Sequence, residues 1–186
     1  RVVLLLSILG AVLLAGLVAS DWASSRQFAQ AVPLPPAQPA SRRQAFNVAV
    51  IGDSWVAWQR IDRGLNLGLM QLGHPARIQS FGQPGARSRQ VYENLFKPAA
   101  EPFSSRQVLF SGAFQACVVV AGVNDTASHM GKDFYLNHML LIVDALLQRQ
   151  IHPVILEVPG YGIETADSAN LVGHVRRRLM RAVYDD

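Results

Sequence analysis

Along this chain the apolar positions gather into short runs, and the segments between the runs carry apolar residues at helical spacing. The runs are residues 48–51 (VAVI), 76–80 (ARIQS), 116–121 (ACVVVA) and 154–158 (VILEV). Runs of this length bounded by glycine and proline predict strands. Between them, residues 55–72 suit a helix stopped by Gly73, with Pro75 just beyond. A short helix is predicted over 88–96, Pro98 and Pro102 interrupt, and another helix starts near 104–110. Residues 133–150 place Leu136, Met139, Leu140, Val143, Leu146 and Leu147 on one apolar stripe. Strands that are apolar on both faces and alternate with helices call for a parallel sheet covered on both sides. The expected fold class is α/β, a three-layer, doubly wound parallel sheet, flavodoxin-like in outline.

The N-terminal pattern is different. Residues 2–19 (VVLLLSILGAVLLAGLVA) are uncharged, with Ser7 the one polar side chain. The run approaches the ~20 residues that cross a bilayer. Three readings compete: a transmembrane or signal-anchor helix, a cleavable secretory signal with small residues near 15–20, and a buried helix. Length favours the anchor over a signal, whose apolar part is ~7–15 residues, and apolarity around the whole circumference disfavours a packed surface helix. Residues 31–40 (AVPLPPAQPA) then read as an extended spacer. The expected division is an anchor over 1–20, a proline-rich linker over 21–44 and a catalytic domain over 45–186. Membrane attachment through residues 2–19 implies a domain facing away from the cytoplasm, periplasmic or on the cell surface.

Composition narrows this picture. The chain has 186 residues, half of them apolar, which is material for one core rather than two. A net charge of +4 is modest. Arg176, Arg177, Arg178 and Arg181 read as the solvated face of a helix, and no aromatic residues interleave with them as a stacking platform, so no nucleic-acid partner is expected. Cys117 is the one cysteine, it falls in an apolar run, and no intrachain disulfide is possible. No metal-ligand spacing, phosphate loop or dinucleotide fingerprint occurs, so neither metal nor cofactor is expected.

Candidate chemistry begins with residues 48–58, VAVIGDSWVAW. Gly52 lets the chain turn sharply after a strand, and Ser54 then stands at the carboxyl edge of the sheet. A serine there is a nucleophile if a base reaches it and donors await the oxyanion. Taken alone, Gly-Asp-Ser is as readily a polar turn. Two further loops keep it company: residues 78–88 (IQSFGQPGARS) and residues 116–125 (ACVVVAGVND) each run from a strand into a glycine-containing loop. In this order and separation the three loops resemble the first three sequence blocks of the SGNH hydrolases, the GDSL esterase and lipase family. The resemblance spans residues 45–158. It implies Ser54 as nucleophile, the backbone N–H of Gly85 and the side-chain amide of Asn124 as oxyanion donors, and an ester as substrate. Gly82 is the rival to Gly85. Gly52, Asp53, Gly122 and Asp125 are supporting loop residues, with the two aspartates fixing turns rather than moving protons.

One family element is missing. Members carry a base in a C-terminal Asp-x-x-His block, and none of His74, His129, His138, His152 and His174 has an aspartate three residues before it. His174, with Asp167 seven residues earlier, is the nearest substitute but falls one strand too early. The expectation is that the base lies beyond residue 186. With it, Ser54 would attack an ester carbonyl and water would release the acid. The substrate expected of a membrane-tethered member is an O-acetyl group on carbohydrate or envelope polysaccharide. An O-acetyltransferase using the same residues, and a silent domain binding glycan or protein, are the alternatives. Trp55, Trp58 and Phe81 are candidates to stack on a sugar.

Overall fold

Four strands form a parallel sheet in the order β2-β1-β3-β4 in the computed structural model, which describes residues 2–36, 46–58 and 61–156. They are β1 (Phe46–Gly52), β2 (Ala76–Gly82), β3 (Ala116–Val120) and β4 (His152–Ile155). β1 pairs with β2 on one side and β3 on the other, with Val50 opposite both Ser80 and Val118. The chain thus leaves β1 in one direction and returns to its far side for β3. Such a reversal opens a crevice at the carboxyl ends of the two strands.

Both faces of the central strands are buried, and successive residues serve opposite layers. Ala49, Ile51, Cys117 and Val119 point into a core formed with α4 (Ser88–Asn94), α5 (Arg106–Phe110) and α7 (Lys132–Gln148). Val48, Val50, Val118 and Val120 point the other way, toward α2 (Ser54–Trp58) and α3 (Ile61–Gln71). This explains why β1 and β3 read as continuous apolar runs. The expected parallel α/β sheet with helices on both faces is what the chain forms.

The described residues of the helix read over 55–72 are helical through Gln71, as α2 and α3, while β4 begins at His152 and ends at Ile155, earlier than the run 154–158 suggested. The stripe read on α7 divides: Met139 and Leu146 are buried, while Leu136, Leu140 and Leu147 are each more than half exposed. The buried face is Phe134, His138, Met139, Ile142, Ala145 and Leu146. A histidine and an alanine occupy positions a hydrophobic count leaves out.

Residues 2–19 lie within one helix, α1 (Val2–Ser25). Counting the described residues alone, no helix is long and apolar enough to cross a membrane. The segment after α1 runs over the surface of α4 and α7 through residue 34 instead of standing clear as a spacer: Ala29 and Leu34 are half-buried against the core. His174, Asp167 and the arginine run at 176–181 lie outside the described residues.

Candidate active site

At the end of β1 the backbone leaves no room for a side chain. A Cβ on Gly52 would fall 2.2 Å from the Val120 carbonyl oxygen. The next residue is hooked to β3, because the Asp53 N–H donates to that same carbonyl at 3.2 Å. The Asp53 side chain is fully buried and its Oδ1 accepts the Trp55 N–H at 2.9 Å, which caps α2. Ser54 is therefore the first residue of α2, and its own N–H is one of the helix-end donors without a partner in the helix.

β2 delivers the second loop. A Cβ on Gly82 would sit 2.3 Å from the Ala57 nitrogen, so this glycine is where the sheet and α2 meet backbone to backbone. Gln83 donates its N–H to the Gly52 carbonyl at 3.0 Å and accepts from Ala86 N–H at 3.1 Å, closing a turn around Gly85. Gly85 has φ +74°, in the left-handed region, and space around it is open. The two glycines thus differ: Gly82 belongs to the strand and its packing, Gly85 to the exposed apex of the loop.

β3 brings the third loop through Gly122, φ +124°, whose missing side chain is filled by the Tyr135 ring at 3.1 Å. Asn124 then lies between the other two loops. Its amide donates to the Ala86 carbonyl at 2.9 Å and leans toward Asp53 Oδ2 at a long 3.4 Å. The first bond fixes the amide plane. The second is weak and leaves that hydrogen available to a better acceptor, such as an oxyanion formed at Ser54.

Asp125, next in sequence, is buried and grips the start of α4. Its Oδ2 accepts the Ser88 N–H at 2.9 Å and its Oδ1 accepts the Ser88 hydroxyl at 2.6 Å. Arg87 adds a bond from Nε to the Ser128 hydroxyl at 3.1 Å. The Gly85 loop is therefore held at both sides of its apex. Burial pushes the Asp53 and Asp125 carboxyls above their ordinary value, and each aspartate's proximity to the other adds to the rise at Asp53.

The described histidines occupy different settings. His74 and His152 are exposed at the far ends of β2 and β4, and His129 is exposed with φ +52° after α6 (Val123–Ala127). His138 is fully buried with both ring nitrogens engaged: Nδ1 lies 2.6 Å from the Phe134 carbonyl and Nε2 accepts the Ala29 N–H at 2.9 Å. It is a packed structural group, and its pKa is lowered chiefly by burial. Of the aromatic candidates, Trp58 is exposed, Trp55 is half-buried against the α2 side of the sheet, and Phe81 meets Phe114 edge to face. Among the described residues no cluster of His, Cys, Asp and Glu is arranged to hold a metal ion.

Sequence reasoning brought Ser54, Gly85 and Asn124 to one edge but missed Ser88 and His138. Ser88 gave a signal, being a small hydroxyl residue opening a helix directly after the loop. His138 gave none, because its partner Ala29 lies 109 positions away.

No family model and no curated protein matches the chain. Solved structures do. It is similar to AlinE4, described as an SGNH-hydrolase family esterase, at 18% identity and a TM-score of 0.47, covering 78% of this chain and 75% of that one. It is also similar to a GDSL-like lipase from Bacteroides thetaiotaomicron, at 16% identity and a TM-score of 0.43, over 88% and 69%. A putative GDSL-like lipase from Parabacteroides merdae gives 14% identity and a TM-score of 0.45, over 81% and 77%. Identity this low carries no residue's role across, and the site is read from its own geometry.

Proposed function

We propose that the chain is a serine esterase of the SGNH type, with Ser54 as nucleophile. The supporting observation is the convergence of three loops at one sheet edge: Asn124 touches both the residue before Ser54 and the carbonyl after Gly85. In the proposed reaction the Ser54 hydroxyl gives its proton to a base and its oxygen adds to an ester carbonyl. The N–H groups of Ser54 and Gly85 and the Asn124 amide receive the oxyanion. Collapse expels the alcohol, and water then releases the acid from the acyl-serine. The base is proposed to lie outside the described residues.

The proposed substrate is an O-acyl group on carbohydrate, with the envelope polysaccharide as acyl carrier, and transfer to a sugar instead of water is the variant the same residues permit. Membrane attachment through residues 2–19 is proposed on their uncharged sequence and on the outward exposure of Val12, Leu13, Leu17 and Val18, with the domain extracytoplasmic.

A fluorophosphonate probe tests the reading. It should label the natural full-length protein at Ser54 and leave Ser54→Ala unlabelled. Absence of labelling in the natural protein would overturn the esterase reading and favour a binding domain built on the same cleft.

A further inference from the structure

The segment that follows α1 is held almost wholly by its backbone. Arg89 on α4 donates from one guanidinium nitrogen to the carbonyls of Ser24 at 2.8 Å and Gln27 at 3.0 Å. Tyr92, one turn along, accepts the Val32 N–H at 2.8 Å and donates its hydroxyl to the Gln30 carbonyl at 3.2 Å. Between them, His138 on α7 accepts the Ala29 N–H. Phe28 lies over the His138 and Phe134 rings, with centroids 6.0 and 5.8 Å away. Residues 24–34 are thus a strap read by three side chains of the domain.

The chemistry of His138 makes one of these three holds conditional. A ring nitrogen 2.6 Å from a carbonyl oxygen must carry a hydrogen, so Nδ1 is the protonated position of the neutral ring. Nε2 then offers a lone pair, and the Ala29 N–H uses it. A second proton has only Nε2 to go to. It would stand N–H against N–H with Ala29, at a ring with no exposure to solvent. Protonation and strap docking therefore exclude each other at this nitrogen.

We propose that His138 is a proton-operated latch: the strap is docked while the imidazole is neutral, and protonation at Nε2 releases it. The charged surroundings come from two elements besides α7. On α6, Asp125 favours the charged ring; on α4, Glu93 favours it and Arg89 opposes it. Burial outweighs them and lowers the ring's pKa from its ordinary 6.5. A lowered pKa in the docked state means that docking is undiminished above pH 6.5 and weakens as pH falls below it. The loss approaches tenfold in the docking equilibrium per pH unit until the docked state's own pKa is reached. Because α4 starts directly after the Gly85 loop, release removes groups that brace Arg89 and Tyr92 on that helix: the Ser24, Gln27 and Gln30 carbonyls and the Val32 N–H. The latch does not depend on what Ser54 does.

Hydrogen exchange on the full chain, corrected for the intrinsic pH dependence of amide exchange, tests this at pH 8 and pH 5. The Ala29 and Val32 amides should lose protection at the lower pH, while amides of β1 and β3 keep theirs. His138→Gln presents a side-chain oxygen that accepts at any pH, and it should hold the strap equally at both values. Tyr92→Phe should loosen the strap at both pH values and keep the pH dependence. Equal strap protection at both pH values in the natural sequence would overturn the proposal. So would an unchanged pH dependence in His138→Gln, or parallel loss in the strap and the sheet.

Discussion

A serine hydroxyl gains reactivity from what surrounds it, so the informative substitutions are at its neighbours. Asn124→Ala should lower kcat by about 100-fold in an ester-hydrolysis assay, the usual effect of losing one oxyanion donor. Its urea midpoint should move little, since one bond to the Ala86 carbonyl is worth about 1 kcal/mol. An unchanged kcat would remove Asn124 from the proposed chemistry. The two loop glycines separate in the same way. Gly82→Ala drives a methyl into the backbone of α2 and should cost 3 kcal/mol or more, roughly the upper end for overpacking. Gly85→Ala meets open space and bears only the left-handed backbone, about 1–2 kcal/mol. Urea unfolding of both variants would show the order. At this scale the sequence was informative where a residue type has few uses: glycines after strands and an Asn-Asp pair mark loops whatever the fold. It preferred Gly85 to Gly82 on the loop's fit to the family pattern, but it was silent on what each does, since a glycine that avoids a clash and one that needs positive φ are the same letter.

Between elements, Asp125 and the strap carry the expectations. Asp125→Asn can keep an oxygen on the Ser88 N–H but turns its NH2 to the Ser88 hydroxyl, which must accept instead of donating to a carboxylate, so a short buried bond is lost at about 1–3 kcal/mol. The pH dependence has a definite sign. A buried carboxyl with a raised pKa holds its proton more tightly in the folded chain, so its contribution is full below the ordinary value of 3.8 and declines as pH rises through the raised value. Urea midpoints between pH 3 and pH 6 should show this decline reduced in Asp125→Asn. Removing residues 1–20 should leave stability unchanged within ~0.5 kcal/mol, whereas removing 1–36 uncovers the Phe134–His138 surface and should cost about 1–3 kcal/mol, the scale of a buried side chain or two. Chemical denaturation of the two truncations compares them. Periodicity located α7 well yet drew its buried face wrongly, because hydrophobic counting cannot see that His138 is buried by pairing with a backbone amide from far along the chain. The strap was illegible for the same reason: proline and glutamine describe an extended segment, and side chains from α4 and α7 decide where it lies.

For the whole molecule, the parallel sheet was legible because β1 and β3 are apolar on both faces, which only a doubly covered sheet explains. Cys117 reports on that interior. It is fully buried in β3 and burial raises its thiol pKa, so a thiol reagent should react with the unfolded chain and leave the native one untouched. Labelling of the native chain as fast as the unfolded one would mean the sheet opens locally. A last consequence concerns how readily such a site could change its substrate. Ser54 takes its place from contacts beneath the crevice: Gly52 seats on the Val120 carbonyl beside the buried Val56 methyl, Gly82 seats on the Ala57 nitrogen, and the Asp53 carboxylate caps α2. Residues lining the crevice can therefore be exchanged for larger, smaller or differently charged ones without carrying the serine out of register. If Ser54 acts as proposed, specificity and reactivity are mechanically separable here, and a library varied at exposed positions of the three loops and α2, such as Trp58, Pro84 and Thr126, would test new esters without moving the serine.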